Sequence, residues 1–434
     1  MVDYAYIHIW NTLLGVVKWD QNRQIADFQF DKQFLTKDQD LSPLKMPISN
    51  GDLIYSFPEL SSKNNHTKDT FKGLPGLLAD SLPDKYGNLL IEKWLTINGR
   101  PQNSMNPIEK LCFIGSRGMG ALEFKPAQLQ ENKNTFSIEI DSLVEIAREM
   151  ISERQNFGAN IQNDKQQAMQ AILKIGTSAG GARPKAIIAY NKKTKEIRSG
   201  QTKTPKDFEH WILKLDGVNG EQFGESHGWG RVEYAYHLMA KECGIEMSEC
   251  DLLEEENRAH FMTKRFDRGN NNTKHHIQTL CGIQHYDFNH LNAYSYEQVF
   301  QTMRQLRLTY PEAEQMFRRM TFNVLATNCD DHTKNFSFRL KQGGKWELAP
   351  AYDLCYSYDP DNIWVNQQTL SINGKHRNIT KIDLIALAKA NNIKHAENII
   401  SGINTVVKNW DNFATLAKVR KDLQQMIRKN LHTI

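Results

Sequence analysis

The shift of this chain from mainly strand-like to mainly helical spacing of its apolar residues limits the fold more than any other feature. Up to about residue 290 short alternating or β-branched runs and glycine turns are interspersed with a few helical stretches. From about residue 295 onward apolar residues recur at helical spacing. Strands first and helices later predict an α+β protein. At 434 residues the chain is too long for one small core. Two polar stretches are candidate links: 126–136, which contains ENKNT, and 153–166, which reads ERQNFGANIQNDKQ. The expected division is a small β-rich domain over 1–150 and a larger domain over 151–434. In the larger one, strands run to about 290 and a helical lobe follows.

Within the first part, residues 4–30 alternate apolar and polar (YAYIHIW, then DFQF), which predicts a strand meander around Gly15. Leu77, Leu78, Leu82, Leu89, Leu90, Ile91 and Trp94 recur at helical spacing, broken by Pro83. FIGSRGMGALEF follows as a glycine-rich turn entering a short strand. Its GSRGMG, at 115–120, lacks the lysine-hydroxyl end of a Walker loop and reads as a tight turn. Leu143, Ile146, Ala147, Met150 and Ile151 predict one more helix. In the second part, ILKIGTSAGGARPKAIIAY joins a glycine turn to a β-branched strand. HWILKLDG and FMTKRFDR read as strands, and 231–243 as a helix.

Composition excludes several classes. Net charge is only +4, from 54 basic and 50 acidic residues, so no strongly basic nucleic-acid face is implied. The basic residues near the end (Lys418, Arg420, Lys421, Arg428, Lys429) read first as a solvated helix face. Six cysteines, at 112, 243, 250, 281, 329 and 355, include no two-residue spacing and read as reduced thiols. MVDYAYIHIWNTLLGVVKWD has neither a basic leader nor a long apolar run, so no signal peptide is expected. No window approaches the ~20 apolar residues of a membrane span. A cytoplasmic protein without membrane contact is expected.

The chemistry concentrates in NCDDHTKNFSF. Asp330 and Asn335 are five apart, and Asp353 follows 18 residues after Asn335, in AYDL. Phosphoryl transfer from ATP needs a carboxylate to take the proton of the acceptor hydroxyl. It also needs an amide oxygen and a second carboxylate to hold magnesium against the phosphates. Asp-x-x-x-x-Asn alone is a weak signal, because both residues are common in loops. The rest of the machinery precedes it in a kinase's order: the glycine loop GTSAGGARPK at 176–185, then Lys214 in HWILKLDG, then Glu233 opening a helix as a possible counter-charge. Taken singly, Lys214 reads as snorkelling at a strand edge and Glu233 as a first-turn acid favoured by the helix dipole.

GTSAGGARPK, HWILKLDG, KRFDR, DDHTKNFS and AYDL together resemble the successive motifs of the HipA family of toxin-antitoxin kinases. LLADSLPDKYGNLL and FIGSRGMGALEF are similar to that family's N-terminal segments, and the likeness runs from about residue 70 to about 360. The resemblance implies a protein-kinase-like, two-lobed core behind a β-rich N-terminal domain, using ATP and Mg²⁺. It implies Asp330 as catalytic base, Asn335 and Asp353 as magnesium ligands, and Lys214 as the ATP-contacting lysine. Gly180, Gly181, Ala182, Arg183, Pro184 and Lys185 match the phosphate loop. Lys264, Arg265 and Phe266 match the segment whose backbone receives the adenine, while His332, Lys334 and Tyr352 would line the nucleotide. Ser178, with Thr177 beside it, matches an inhibitory autophosphorylation site. The implied partners are a protein substrate, for which a tRNA synthetase is the family's best-known example, and a HipB-like helix-turn-helix antitoxin that carries the kinase onto operator DNA.

The chain also departs from the family's best-known pattern. Arg183 and Pro184 stand where Gln-Glu is usual, and Pro184 has no N–H to donate. Lys264 replaces an acid and Asp331 a glycine. These differences leave the substrate open, with a small-molecule kinase of the same fold and a catalytically silent co-repressor as the alternatives.

Overall fold

The computed structural model describes residues 2–126, 176, 184–200, 203–216, 228–255 and 258–434. The chain forms two compact units: Met1–Asp40 with Met46–Gly230 and Asp251–His276, and Leu41–Lys45 with Arg231–Cys250 and Ile277–Ile434. The boundary expected near residue 150 and the helix expected at 143–151 lie outside the described residues.

The first unit is a mixed α/β body with two sheets. Strands β1 (Tyr4–Ile9), β2 (Thr12–Asp20), β3 (Ile25–Phe30) and β4 (Leu122–Lys125) pair antiparallel in the order β3-β2-β1-β4. Period-two patterning places Ala5, Ile7 and Ile9 in the core and leaves Tyr4 and Tyr6 outside. The first hairpin turns at Trp10 and Asn11, both left-handed (φ 48° and 59°), as a tight two-residue hairpin requires. Gly15 lies inside β2, where a Cβ would come within 2.3 Å of the Gln29 carbonyl oxygen. Its missing side chain admits the neighbouring strand and makes no turn. The helical run expected from Leu77 to Trp94 divides at Pro83 into Gly76–Ala79 and Lys85–Ile97. Ile91 and Leu95 pack there with Met105 and Phe113.

The second sheet holds β5 (Lys185–Tyr190), β6 (Ile197–Ser199), β7 (Glu209–Lys214), β8 (Cys250–Glu255) and β9 (Arg258–Lys264) in the order β6-β5-β7-β9-β8. Every residue of β5 is buried, and Trp211 of β7 is fully enclosed, edge-on to Tyr190 at 6.2 Å between ring centroids.

Beyond β9 the chain supplies a buried ionic clamp. Asp267 accepts from Arg265 Nε (2.9 Å), Arg268 (2.7 Å) and the Gly120 N–H (2.7 Å). The two guanidiniums also donate to the carbonyls of Gly118 and Gly120. The GSRGMG turn is therefore a socket for this cluster. Neighbouring arginines hold the Asp267 carboxyl well below the usual carboxylate range, although burial alone would raise it.

The second unit is mainly helical. Its strands β10 (His276–Thr279), β11 (Ser337–Leu340) and β12 (Trp346–Leu348) form one sheet in that order. The Tyr310–Leu325 helix starts at a capping box, Thr309 with Glu312, with proline in its first turn. It buries Met316, Phe317, Met320, Phe322, Val324 and Leu325. Near the chain's end the Trp410 indole donates to the Gln424 carbonyl at 3.0 Å and meets Tyr236 at 5.6 Å. Two of the basic residues there are ion-paired, Arg420 with Asp422 and Arg428 with Asp411. Among the described residues no helix is long and apolar enough to cross a membrane. Five cysteines are buried and Cys355 is half-buried, all as free thiols.

Candidate active site

In the second unit, the segment after the Tyr310–Leu325 helix is bound to its surroundings at nearly every residue. The Cys329 N–H donates to the Ser357 carbonyl at 3.1 Å and the Thr333 hydroxyl to the Tyr286 carbonyl at 2.8 Å. Thr333–Asn335 forms one 3-10 turn, closed by the Asn335 N–H on the His332 carbonyl at 2.9 Å. The Asn335 side-chain amide donates to the main-chain carbonyl of Asp330 at 2.6 Å. That bond commits the NH₂ end and leaves the amide oxygen as the end available to a cation.

The two adjacent aspartates have opposite environments. The Asp330 side chain is 48% exposed, with His332 Nε2 at 3.7 Å from its carboxylate. Asp331 is buried, accepting from the Tyr296 hydroxyl at 2.7 Å and from the Thr369 N–H at 2.6 Å. Asn323 donates to the same tyrosine oxygen at 3.0 Å, and Asn328 donates to Asn323 at 2.9 Å. Burial pushes the Asp331 carboxyl up to about 7, against the pull of its hydrogen bonds. Asp330 is thus the member that can meet a substrate, and Asp331 anchors the loop. The sequence holds a signal for Asp330, the asparagine five residues on, but none for the anchoring partners Tyr296 and Thr369, which are distant in the chain.

Asp353 reaches this loop through its neighbour. The Tyr352 hydroxyl donates to the Lys334 carbonyl at 2.6 Å and lies 2.5 Å from the Ser337 hydroxyl. The hairpin of β11 and β12 returns the chain so that Ala349 N–H donates to the Ser337 carbonyl at 3.0 Å. Asp353 itself is left-handed at φ 52°, a conformation a non-glycine residue keeps only when its surroundings impose it. Lys334 extends over the Phe288 ring at 4.6 Å, and His332 lies against the same ring at 5.3 Å. Both residues lie in the loop, and the Lys334 cation rests on an aromatic face.

The first unit carries the remaining sequence-derived residues. Lys185 and Lys214 are directly opposite in the β5–β7 register, and therefore share one face of the sheet. Lys214 lies 5.6 Å from the Phe261 ring. Pro184 accepts from the Leu215 N–H at 3.0 Å. Gly180, Gly181, Ala182 and Arg183, with Thr177 and Ser178, lie outside the described residues. Lys264 pairs with Glu209. The Arg265 N–H is committed to the His210 carbonyl at 2.9 Å, and its side chain belongs to the ionic clamp. Glu233 is buried in the Trp229–Glu242 helix. That helix begins two residues before the expected start, so Glu233 falls beyond its first turn.

The donor set fits a magnesium nucleotide. Asn335 and Asp353 offer hard oxygen donors, the number magnesium takes from protein when phosphates supply others. Comparison with known proteins agrees with the motif order. Residues 177–410 match the family model described as HipA-like C-terminal domain, and residues 5–125 match the HipA N-terminal domain. Among solved structures, the chain is similar to the toxin-antitoxin system HipA of Shewanella oneidensis MR-1, solved with HipB and its operator DNA. That match has a TM-score of 0.67 and 18% identity, and covers 98% of this chain and 94% of that one. A proinflammatory kinase of Helicobacter pylori, CtkA, matches with a TM-score of 0.33 and 14% identity, over 51% of this chain and 90% of that one. No curated protein sequence matches.

Proposed function

The chain belongs to the HipA family, and from that premise we propose that it is an ATP- and Mg²⁺-dependent serine/threonine protein kinase acting as the toxin of a toxin-antitoxin pair. One observation carries this reading. Asp330 faces solvent on a loop closed by Asn335, and Tyr352 ties the residue before Asp353 to the same loop. Asp330 takes the proton as the hydroxyl oxygen of a Ser or Thr forms its bond to the γ-phosphorus and the bond to the bridging oxygen of ADP breaks. Asn335 and Asp353 would hold the magnesium, which would neutralise charge on the phosphates. Lys185 and Lys214 take phosphate oxygens, together with the glycine loop Gly180–Lys185.

The same premise supports the finer points. Ser178, or Thr177 beside it, is the site of inhibitory self-phosphorylation. A HipB-like helix-turn-helix antitoxin binds the chain and carries it to operator DNA, as HipB accompanies HipA in the Shewanella complex. The target is a cytoplasmic protein whose modification slows growth.

The test is transfer of label from γ-labelled ATP, with Mg²⁺, into a desalted cell lysate by the wild type and by Asp330→Asn. Label on serine or threonine of protein from the wild type alone is the expected result. Label on a metabolite would make the chain a small-molecule kinase. No ATP turnover at all would leave the silent co-repressor.

A further inference from the structure

Five residues after Asp353 a loop begins, residues 358–368, whose two stems are hydrogen-bonded to the segment around Asp330. At the first stem, Ser357 N–H donates to the Thr327 carbonyl at 3.2 Å, and Cys329 N–H donates to the Ser357 carbonyl at 3.1 Å. At the second, Thr369 donates its N–H to Asp331 at 2.6 Å and its hydroxyl to the Cys329 carbonyl at 2.9 Å. Both stems therefore end on residues one to three positions from Asp330.

Between the stems the loop is braced on itself. Asp361 N–H donates to the Asp359 carboxylate at 3.0 Å, and Trp364 N–H donates to the Asn362 side chain at 3.1 Å. Val365 N–H donates to the Asn362 carbonyl at 3.1 Å. The loop spends that bracing on presenting two large apolar side chains to water: Ile363 is 65% exposed and Trp364 44%. Exposed tryptophan next to exposed isoleucine is unusual on a surface that only needs solubility, and such residues are favoured anchors of protein contacts. Asp359 and Asp361 lie beside them, both exposed, and among the described residues no lysine or arginine forms an ion pair with either.

We propose that this loop is the docking ledge for the protein substrate. It takes a segment in which a lysine or arginine accompanies an apolar side chain close to the acceptor hydroxyl. Ile363 and Trp364 cover the apolar residue, and Asp359 with Asp361 select the cation by charge complementarity. The proposal rests on the protein-kinase reading and adds the chemistry of the substrate. Because the stems are fixed to Cys329 and Asp331, a segment seated here is held at a set distance from Asp330, which is how docking contributes to transfer.

A positional-scanning library of serine-centred peptides, with ATP and Mg²⁺, tests it. The wild type is expected to favour Lys or Arg together with an apolar residue at particular flanking positions. The Asp359→Asn/Asp361→Asn double variant should lose the preference for the cation, while asparagine at 359 keeps the acceptor oxygen that braces the loop. The Ile363→Ser/Trp364→Ser variant should raise KM roughly tenfold for the best apolar peptide. Ile382→Ser, which removes another exposed apolar side chain (79% exposed), is the control and should change neither. Melting curves confirm that each variant is folded. Unaltered preferences in both loop variants would overturn the proposal, as would a change confined to self-association in sedimentation. Wild type that hydrolyses ATP but phosphorylates no peptide would overturn the ledge alone. Wild type without ATP hydrolysis would overturn the kinase reading as well.

Discussion

Asn335 donates its side-chain amide to the main-chain carbonyl of Asp330 across 2.6 Å, so the proposed base and a proposed metal ligand are the two ends of one closed turn. The bond fixes the rotamer of Asn335 and the backbone of Asp330 together. It leaves the Asp330 carboxylate, 48% exposed, free of that constraint.

Asp330→Asn should therefore abolish phosphotransfer while leaving the fold intact. The amide cannot accept the substrate proton, and loss of base and positioning together costs several orders of magnitude. Because the side chain is half exposed, the melting temperature should stay near that of the wild type. Near wild-type labelling of protein by this variant would remove Asp330 from the role of base.

Asp353 adopts the left-handed conformation, φ 52°, which asparagine tolerates as well as aspartate does. Asp353→Asn thus isolates the loss of charge from any backbone effect. Mg²⁺-dependent binding of a non-hydrolysable ATP analogue, followed by calorimetry, should be lost, with thermal stability nearly unchanged. Undiminished Mg²⁺-dependent affinity would exclude Asp353 as a ligand.

How much could be read from residues alone differs from place to place. Period-two alternation located β1 to β3, and Pro83 located the break between two helices, because both signals are local. Gly15 misleads as a turn marker, since the reason for glycine there is a carbonyl on the adjacent strand. The turn that joins Asp330 to Asn335 was legible from their five-residue spacing. Asp331 was legible only as an oddity, because its partners Tyr296 and Thr369 come from 35 and 38 residues away. Arg265 shows the same limit. Its motif suggested a nucleotide segment, while its side chain serves a clamp whose other half, Gly118, is 147 residues distant.

That clamp predicts a large single-residue stability effect in the first unit. Asp267 is fully buried between Arg265 and Arg268, with salt-bridge distances of 2.7 Å to each. Asp267→Asn keeps the shape but removes the carboxylate that bridges two buried guanidiniums, a loss of about 3–5 kcal/mol. Chemical denaturation should show a midpoint shift of that size. A shift under about 1 kcal/mol would mean that solvent reaches the cluster and screens it.

Asp331 predicts a pH dependence of opposite sense to that of an ordinary paired carboxylate. Its environment includes the Tyr296 hydroxyl, the Thr369 N–H and, one bond further, Asn323; among the described residues no cationic side chain forms an ion pair with it. Burial raises its folded-state value from the ordinary 3.8 to about 7. The folded protein thus binds this proton more tightly than the unfolded chain does. Stability from the protonated group is fully present below about 4 and declines as pH rises through about 7, by up to about 1.4 kcal/mol per pH unit. Above that it is constant. Asp331→Asn keeps one accepting oxygen for Thr369 and turns an NH₂ toward the tyrosine oxygen, so the variant should fold. It carries no titrating group, and the stability difference, wild type minus variant, should therefore fall between pH 5 and pH 7.5. Melting temperatures of both proteins at half-unit steps measure it. A difference that grows with pH would mean that the carboxylate is ionised in the fold and stabilised by its hydrogen bonds.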